Sequence, residues 1–239
     1  SKPAASTARL GNAGALMPAR GLEQVVADAP GIRSAVSSLQ AERRGRGPRD
    51  YNAALTARAA GHRWQEVLSL LWVMRSWRPP PDVVNYTIAA DACAKGSSWE
   101  AALALARAMC EAAVRRDTAS YCATMEACGR GRQWQRSLAL LAEMRAARIT
   151  PGLVAVSVAI AACEKVARWR PAVQLLAEAV AVRLAPDRIM YSSAISACEK
   201  AHVWAWALRL LEAASRQRLK TSVGACSAAI SACEKGHQW

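Results

Sequence analysis

The chain has 239 residues and a formal net charge of +14, and hydrophobic residues make up 53% of it. Alanine and leucine supply much of that fraction, which favours helices because both residues lose little conformational entropy there. No run of 18 apolar residues occurs, so the sequence predicts no transmembrane helix. The excess of positive charge is typical of proteins that bind a polyanion such as nucleic acid, although a basic protein without a direct anion partner shows the same excess.

The N-terminal part of the chain differs in composition from the rest. Residues 1–22 contain Lys2, Arg9 and Arg20 but no acidic residue, and Ser, Ala and Gly are common there. This composition is typical of an organellar transit segment, or of the edge left after its removal, so we expect a disordered basic segment. Residues 23–47 are expected to form a degenerate or capping hairpin.

A 35-residue period dominates the remaining sequence, which predicts one structural unit repeated head to tail. Tryptophan recurs at this spacing (Trp64, Trp99, Trp134, Trp169, Trp204, Trp239), and so does cysteine (Cys93, Cys128, Cys163, Cys198, Cys233). We expect five complete units at 48–82, 83–117, 118–152, 153–187 and 188–222, and the first half of a sixth at 223–239. Because the sequence stops at the start of a predicted helix, further units are expected in the native protein.

Each unit is predicted to contain two helices, numbered here so that position 1 is residue 48, 83, 118, 153, 188 or 223. Positions 4, 8, 10 and 11 are apolar in most units, and their spacing places them on one face of the first helix. The tryptophan at position 17 is expected to begin the second helix, whose apolar face includes a leucine at position 23. Neither helix can bury its apolar face within its own unit, so the units must stack into a superhelix.

The ends of the helices carry their own signals. A glycine at position 14 (Gly96, Gly131, Gly236) is expected to end the first helix in the left-handed backbone conformation. A proline at position 34 (Pro81, Pro151, Pro186) prevents the second helix from continuing into the next unit.

The recurrent cysteines are expected to be reduced core residues. Equivalent positions in neighbouring units lie about 8–10 Å apart, which exceeds the roughly 7 Å between Cα atoms that a disulfide can span. The three histidines, His62, His202 and His237, all fall at position 15, and no zinc spacing, phosphate loop or nucleophile motif occurs. We therefore expect no enzyme, no metal and no cofactor.

The pattern at the junction of two units resembles the pentatricopeptide repeat. Residues 81–87 (PDVVNYT) and 186–192 (PDRIMYS) carry the resemblance best, together with Leu-x-Leu followed by Met in the second helix. The resemblance covers about three quarters of the chain. It implies an all-α fold, a right-handed α-solenoid of helix-turn-helix repeats, that binds single-stranded RNA at one nucleotide per unit.

The resemblance also implies which residues read the bases, namely position 5 and the last position, 35, of each unit. The pairs in this chain are Asn52 with Asp82, Thr87 with Asp117, Ser157 with Asp187, and Ser192 with Ser222. The family's preferences assign U to the first pair and G to the next two, whereas Ser192 with Ser222 is not a standard combination. Cys122 with Gly152 offers almost no hydrogen-bonding group. Apolar residues at position 2 would flank each base (Val84, Val154, Ile189), and short polar residues at a helix start are equally expected as N-caps.

Position 13 forms a row of cations, Lys95, Arg130, Lys165, Lys200 and Lys235. Regular cations along one edge of a superhelix would follow a phosphate backbone. The alternative is that each complements the dipole at the end of its helix, and both roles can hold together. Acidic residues at position 12 (Glu164, Glu199, Glu234) would weaken the positive field in the later units.

Two functional hypotheses follow from these features. The first is a non-catalytic protein that binds single-stranded RNA in a mitochondrion or plastid and acts in RNA processing, stability or translation. The alternative is a scaffold subunit that contacts proteins, and rRNA, within a large organellar complex such as a ribosome or membrane assembly. The imperfect base-reading pairs and the additional tryptophans Trp72, Trp77 and Trp206 favour the alternative. Tryptophan on a second helix forms either an exposed protein-contact surface or part of the core. Neither hypothesis involves a small-molecule substrate.

Overall fold

The computed structural model describes residues 48–61, 63–75, 80–217, 219 and 222–236. The predicted segments 1–22 and 23–47 lie outside the described residues, as do His62, Trp77, His237 and Trp239. The described residues form eleven α-helices: α1 (Pro48–Ala60), α2 (Trp64–Met74), α3 (Val83–Lys95), α4 (Trp99–Glu111), α5 (Thr118–Arg130), α6 (Trp134–Ala146), α7 (Leu153–Glu164), α8 (Trp169–Ala181), α9 (Arg188–Lys200), α10 (Trp204–Arg216) and α11 (Val223–Lys235).

The helices alternate in the order that the 35-residue period predicts. Each odd-numbered helix begins at position 1, and each even-numbered helix begins at the tryptophan of position 17. The predicted fold class, an all-α solenoid, is confirmed. No helix among the described residues is long and apolar enough to cross a membrane.

The helices pack in two layers. The first helices, α1, α3, α5, α7, α9 and α11, each pack on the next one and form a continuous inner layer. The second helices pack on the first helix of their own unit and on that of the following unit. Because the contacts that hold the stack together run through the first helices, clefts remain between consecutive second helices on the outer side.

Small residues form the joint between successive first helices. The alanine at position 10 and the cysteine at position 11 are fully buried in four successive units, as in Ala127 and Cys128. A tyrosine or valine at position 4 and the leucine at position 23 complete the core, for example Tyr121 and Leu140. The predicted burial of the cysteine row is therefore confirmed from Cys93 to Cys198.

The prediction that glycine ends the first helix in the left-handed conformation is wrong. Gly96 and Gly131 have φ values of −81° and −77°, which any residue adopts. The left-handed residue is instead the next one, at position 15, where Ser97, Arg132, Ala167 and His202 have φ between 54° and 57°. The amide N–H of Ser98 then donates to the carbonyl of Cys93, so the turn closes as a Schellman motif in which the left-handed residue is Ser97 and not a glycine.

The glycines at position 14 are required by a close approach to the tryptophan of the preceding unit. A Cβ atom on Gly131 would lie 2.2 Å from Cδ1 of Trp99, and one on Gly96 would lie 2.2 Å from Cδ1 of Trp64. The same contact recurs between Gly236 and Trp204. At these three joints the tryptophan at the start of the second helix thus contacts the end of the first helix in the next unit, and this contact joins the two units.

We expect the Gly131→Ala variant to be destabilised by about 1–3 kcal/mol, the usual cost of overpacking a core. The new methyl group would also lie only 2.6 Å and 3.0 Å from Cγ and Cβ of Trp99, so rotation of the indole cannot relieve the clash. Urea denaturation followed by circular dichroism measures the change. The matched control is Gly224→Ala in α11, where the nearest atom lies 3.8 Å away. Equal stability of the two variants would exclude the proposed role of the Trp99 contact.

The buried thiols are expected to resist alkylation at pH 8, whereas Cys110 is expected to react. Burial raises the pKa of Cys128 to about 12 and the pKa values of Cys163 and Cys198 to about 11. Cys110 is exposed on α4. Iodoacetamide labelling and mass spectrometry of peptides should show early modification of Cys110 and protection of the other three until the chain is denatured. Fast labelling of Cys128 in the folded protein would contradict this prediction.

Candidate nucleic-acid interface

The residues at position 35 act as N-caps of the following first helix. The carboxylate oxygen Oδ1 of Asp82 accepts from the amide of Asn85 at 2.9 Å, and that of Asp117 accepts from the amide of Ser120 at 2.8 Å. Asp187 caps α9 in the same way, and the hydroxyl of Ser222 caps α11. Four of the predicted base-reading residues therefore act as caps, and the capping hydrogen bond fixes each side chain at the N-terminus of its helix.

Asn85 is a member of the site that sequence reasoning missed. Its side-chain amide donates to Oδ1 of Asn52 in the preceding unit, and its side-chain oxygen accepts from the backbone amide of Asp82. The predicted pair Asn52 and Asp82 is thus joined through Asn85 within the protein itself. A polar residue at position 3 signals the capping box, but the contact with the previous unit is visible only in the fold.

The other position-5 residues have varied surroundings. The Thr87 hydroxyl donates to the carbonyl of Val83 at 2.8 Å, so its lone pairs are left to accept. Ser192 lines a groove of about 580 Å³ between α9 and α11, together with Ser227 and the carboxylates Glu164 and Glu199. Ser157 and Cys122 are half-buried on α7 and α5, and Gly152 makes no side-chain cap. The structure places these residues in one row along the starts of the inner helices.

The apolar residues at position 2 project into solvent beside this row. Val84, Val154 and Ile189 are 49%, 65% and 58% exposed, although each belongs to the first turn of an inner helix. Exposure of three aliphatic side chains at equivalent positions leaves a regular series of apolar contact points. Such points are available to flank a planar ligand.

The row of cations at position 13 is largely compensated by carboxylates. Within one helix, Lys95 pairs with Asp91 and Arg130 with Glu126, each at 2.8 Å. Between units, Lys200 pairs with Glu164 and Lys235 with Glu199, each at 3.0 Å. Burial by itself would raise the pKa of Glu199, but hydrogen bonds from Lys235 and Ser231 lower it. The row is therefore a ladder of alternating charges along the inner layer.

Lys165 differs from the other cations in this row. Among the described residues it makes no ion pair within 4 Å, and its side chain is exposed at the end of α7. Partial burial of its ammonium group and the neighbouring charges of Arg130 and Lys200 lower the pKa of Lys165, and the carboxylates Glu126 and Glu164 oppose this shift. Because these two carboxylates pair with Arg130 and Lys200, Lys165 is the member of this row whose ammonium group is left to bind an anionic ligand.

Trp72 and Trp206, which favoured the protein-scaffold hypothesis, are only partly exposed. Each lies beneath an arginine, Arg75 at 5.1 Å and Arg209 at 5.0 Å from the ring centroid. Trp206 also packs against Trp169 of the preceding second helix, with 6.0 Å between ring centroids. In the part of the chain that the structure describes, no three His, Cys, Asp or Glu side chains are grouped to hold a metal ion.

The fold is that of a pentatricopeptide repeat solenoid, which confirms the predicted resemblance. The structure of the pentatricopeptide repeat protein PPR10 from maize matches with a TM-score of 0.66 and 22% identity, over 91% of this chain and 31% of that one. PPR10 in complex with an 18-nt psaJ RNA element matches at 0.60 and 22% identity, over 89% of this chain and 33% of that one. This chain therefore spans about a third of the length of PPR10.

A second solved structure extends the comparison to another protein. The PPR domain of Arabidopsis thaliana protein-only RNase P 1, in complex with tRNA, matches with a TM-score of 0.64 and 13% identity. This match covers 76% of the chain and 96% of that domain. No family model matches the sequence, and no curated protein matches it. At these identities the comparisons establish the fold.

Proposed function

We propose that this chain binds single-stranded RNA along its inner layer and does so without catalysis. The observation that carries the proposal is the row formed at the starts of the inner helices. There a capping side chain at position 35 and a polar side chain at position 5 recur in four of the five units, and an exposed aliphatic residue at position 2 recurs in three. The unit 118–152 is the exception, with Cys122 and Gly152. The same fold in PPR10 holds an 18-nt RNA element.

The proposed contacts with the bases and with the phosphates lie at different places along the inner helices. Positions 5 and 13 are eight residues apart on one helix, or about 12 Å along its axis. Bases would lie at the helix starts between the aliphatic residues, whereas phosphates would lie toward the helix ends near Lys165 and the paired cations. Stacking and backbone contacts of this kind support binding of single strands.

The proposed setting is an organelle, mitochondrion or plastid, with a role in RNA processing, stability or translation. It rests on the basic N-terminal composition and on the family resemblance. A scaffold role in an organellar complex is a second candidate, favoured by the clefts between outer helices. The two are separated by purification of the native protein: RNA without a protein partner supports the first and excludes the second.

We expect the Asp117→Asn variant to change base preference at one nucleotide of the bound RNA. Asparagine is as good an N-cap as aspartate, so α5 should stay intact, but the amide replaces an acceptor-only group by a donor and an acceptor. Selection from a randomised single-stranded RNA pool, followed by sequencing, measures the preference. Asp91→Asn is the matched control, because it removes the same charge at position 9, away from the helix starts where the bases are proposed to lie. An unchanged preference in Asp117→Asn would refute base reading by this residue.

We expect Lys165→Gln to weaken RNA binding uniformly across sequences and to reduce the salt slope of log K by about one. Titration of a fluorescent U- and G-containing oligonucleotide at several KCl concentrations measures both quantities. The control is Arg216→Gln, which removes the same charge from the outer helix α10, where Arg216 is 76% exposed and paired with Glu212. If both variants lower the slope equally, Lys165 makes no phosphate contact of its own.

A further inference from the structure

The outer side of the solenoid contains a cleft that the RNA proposal does not use. It lies between the second helices α4 and α6 and has a volume of about 500 Å³. Its walls are apolar near Leu103, Ala106 and Leu140. The charged residues around them are Arg107, Arg116, Arg136, Glu111 and Glu143. A mostly apolar cleft of this size with a few converging charged groups is the usual form of a ligand site.

Arg116 is the central charged group of this cleft. Its side chain is 6% exposed, and its guanidinium carbon lies 3.7 Å from the centroid of the Tyr121 ring. Nη1 donates to Oε1 of Glu143 at 3.0 Å, and the Tyr121 hydroxyl donates to the same oxygen at 3.1 Å. Stacking on the ring and the bond to Glu143 place the guanidinium at the wall of the cleft.

Two donors of this guanidinium lack acceptors. Nε and Nη2 of Arg116 are buried and have no hydrogen-bond partner in the protein. These two nitrogens share the edge of the guanidinium that binds a carboxylate with two parallel hydrogen bonds. A buried charged donor without an acceptor is destabilising, so an acceptor that reaches this edge gains binding free energy.

The arrangement belongs to one unit only. Arg116 occupies position 34, where the neighbouring units carry Pro81, Pro151 and Pro186. In the next outer cleft, between α6 and α8, Pro151 takes this place, and Glu178 pairs with Arg145 at 3.0 Å instead. Stacking of the repeats does not require an arginine at position 34, because three units stack without one.

We propose that the cleft between α4 and α6 binds a carboxylate carried on an apolar body, with Arg116 as its anchor. The carboxylate bonds to Nε and Nη2 once the guanidinium turns this edge into the cleft that it already lines. The apolar body lies against Leu103, Ala106 and Leu140. The carboxylate can belong to a free organic acid or to an acidic side chain of a partner protein, and both sources share this chemistry.

Calorimetric titration with octanoate and with the capped peptide acetyl-Leu-Glu-Leu-amide distinguishes the two sources. The neutral controls are octanamide and acetyl-Leu-Gln-Leu-amide, and acetate tests the need for the apolar body. We expect at least one of the two acids to bind with a stoichiometry of one, about tenfold more tightly than its neutral control. Preference for octanoate assigns the site to a free acid, and preference for the peptide assigns it to a partner protein.

Three variants test the location of this binding. Arg116→Met should weaken binding of the acid about tenfold, and Ala139→Trp, which fills the cleft from an exposed lining position, should abolish it. Arg145→Met alters the neighbouring cleft and should leave binding unchanged. Circular dichroism verifies that each variant remains folded. Absence of binding by both acids, equal binding of acid and neutral control, or unchanged binding in both Arg116→Met and Ala139→Trp would overturn the proposal.

Discussion

The structure depends on the contact between one unit and the next. Each helix presents an apolar face that its own hairpin cannot cover, so stability arises between units and not within them. Alanine and cysteine at positions 10 and 11 keep the first helices close together, and Trp64, Trp99 and Trp204 reach the end of the following first helix. At Gly131 and Gly96 this approach leaves no room for a Cβ atom. The regular alignment of the inner helix starts is a consequence of this packing.

Sequence periodicity was sufficient to predict the elements, but the contacts between units were beyond it. The starts of the helices, the burial of Cys128 and the capping by Asp117 all depend on local spacing, which is readable in one unit. The roles of Gly131 and Asn85 depend on which side chain of a neighbouring unit arrives beside them. A glycine that follows a helix usually adopts the left-handed conformation, so the sequence pattern predicted that conformation for Gly131 and not its contact with a tryptophan. Arg116 was equally hidden, because its partners Tyr121 and Glu143 lie on two different helices.

The fold also pairs several of the cations of the chain with carboxylates. A net charge of +14 suggests a strong field, yet Lys200 and Lys235 each pair with a glutamate of the preceding unit. Exposed ion pairs of this kind contribute only about 0–1 kcal/mol. In the proposed complex, a phosphate oxygen would therefore replace the carboxylate at modest cost, and the ladder would provide positions for an RNA backbone without leaving all of its cations unpaired in the free protein. Lys165, which has no such partner to displace, is the cation of this ladder that we expect a phosphate to reach first.

Capping and the proposed base reading do not compete for the same atoms of the aspartates. A carboxylate has about four lone-pair sites, and the backbone amide of Ser120 uses one on Asp117. The hydrogen bond that caps the helix also holds the side chain in one rotamer, which lowers the entropic cost of contacting a base.

At the first pair, the side-chain amide of Asn85 donates to the side-chain oxygen of Asn52, so the amide nitrogen of Asn52 remains as the donor. A donor on Asn52 beside an acceptor on Asp82 complements a base edge that presents a carbonyl next to an N–H. Uracil and guanine have such an edge, whereas adenine and cytosine present an amino group in place of the carbonyl. At this pair the atoms that the folded protein leaves free match the U preference that the resemblance implies for Asn52 with Asp82. At the next pair Thr87 offers no such donor, because its hydroxyl already donates to the carbonyl of Val83.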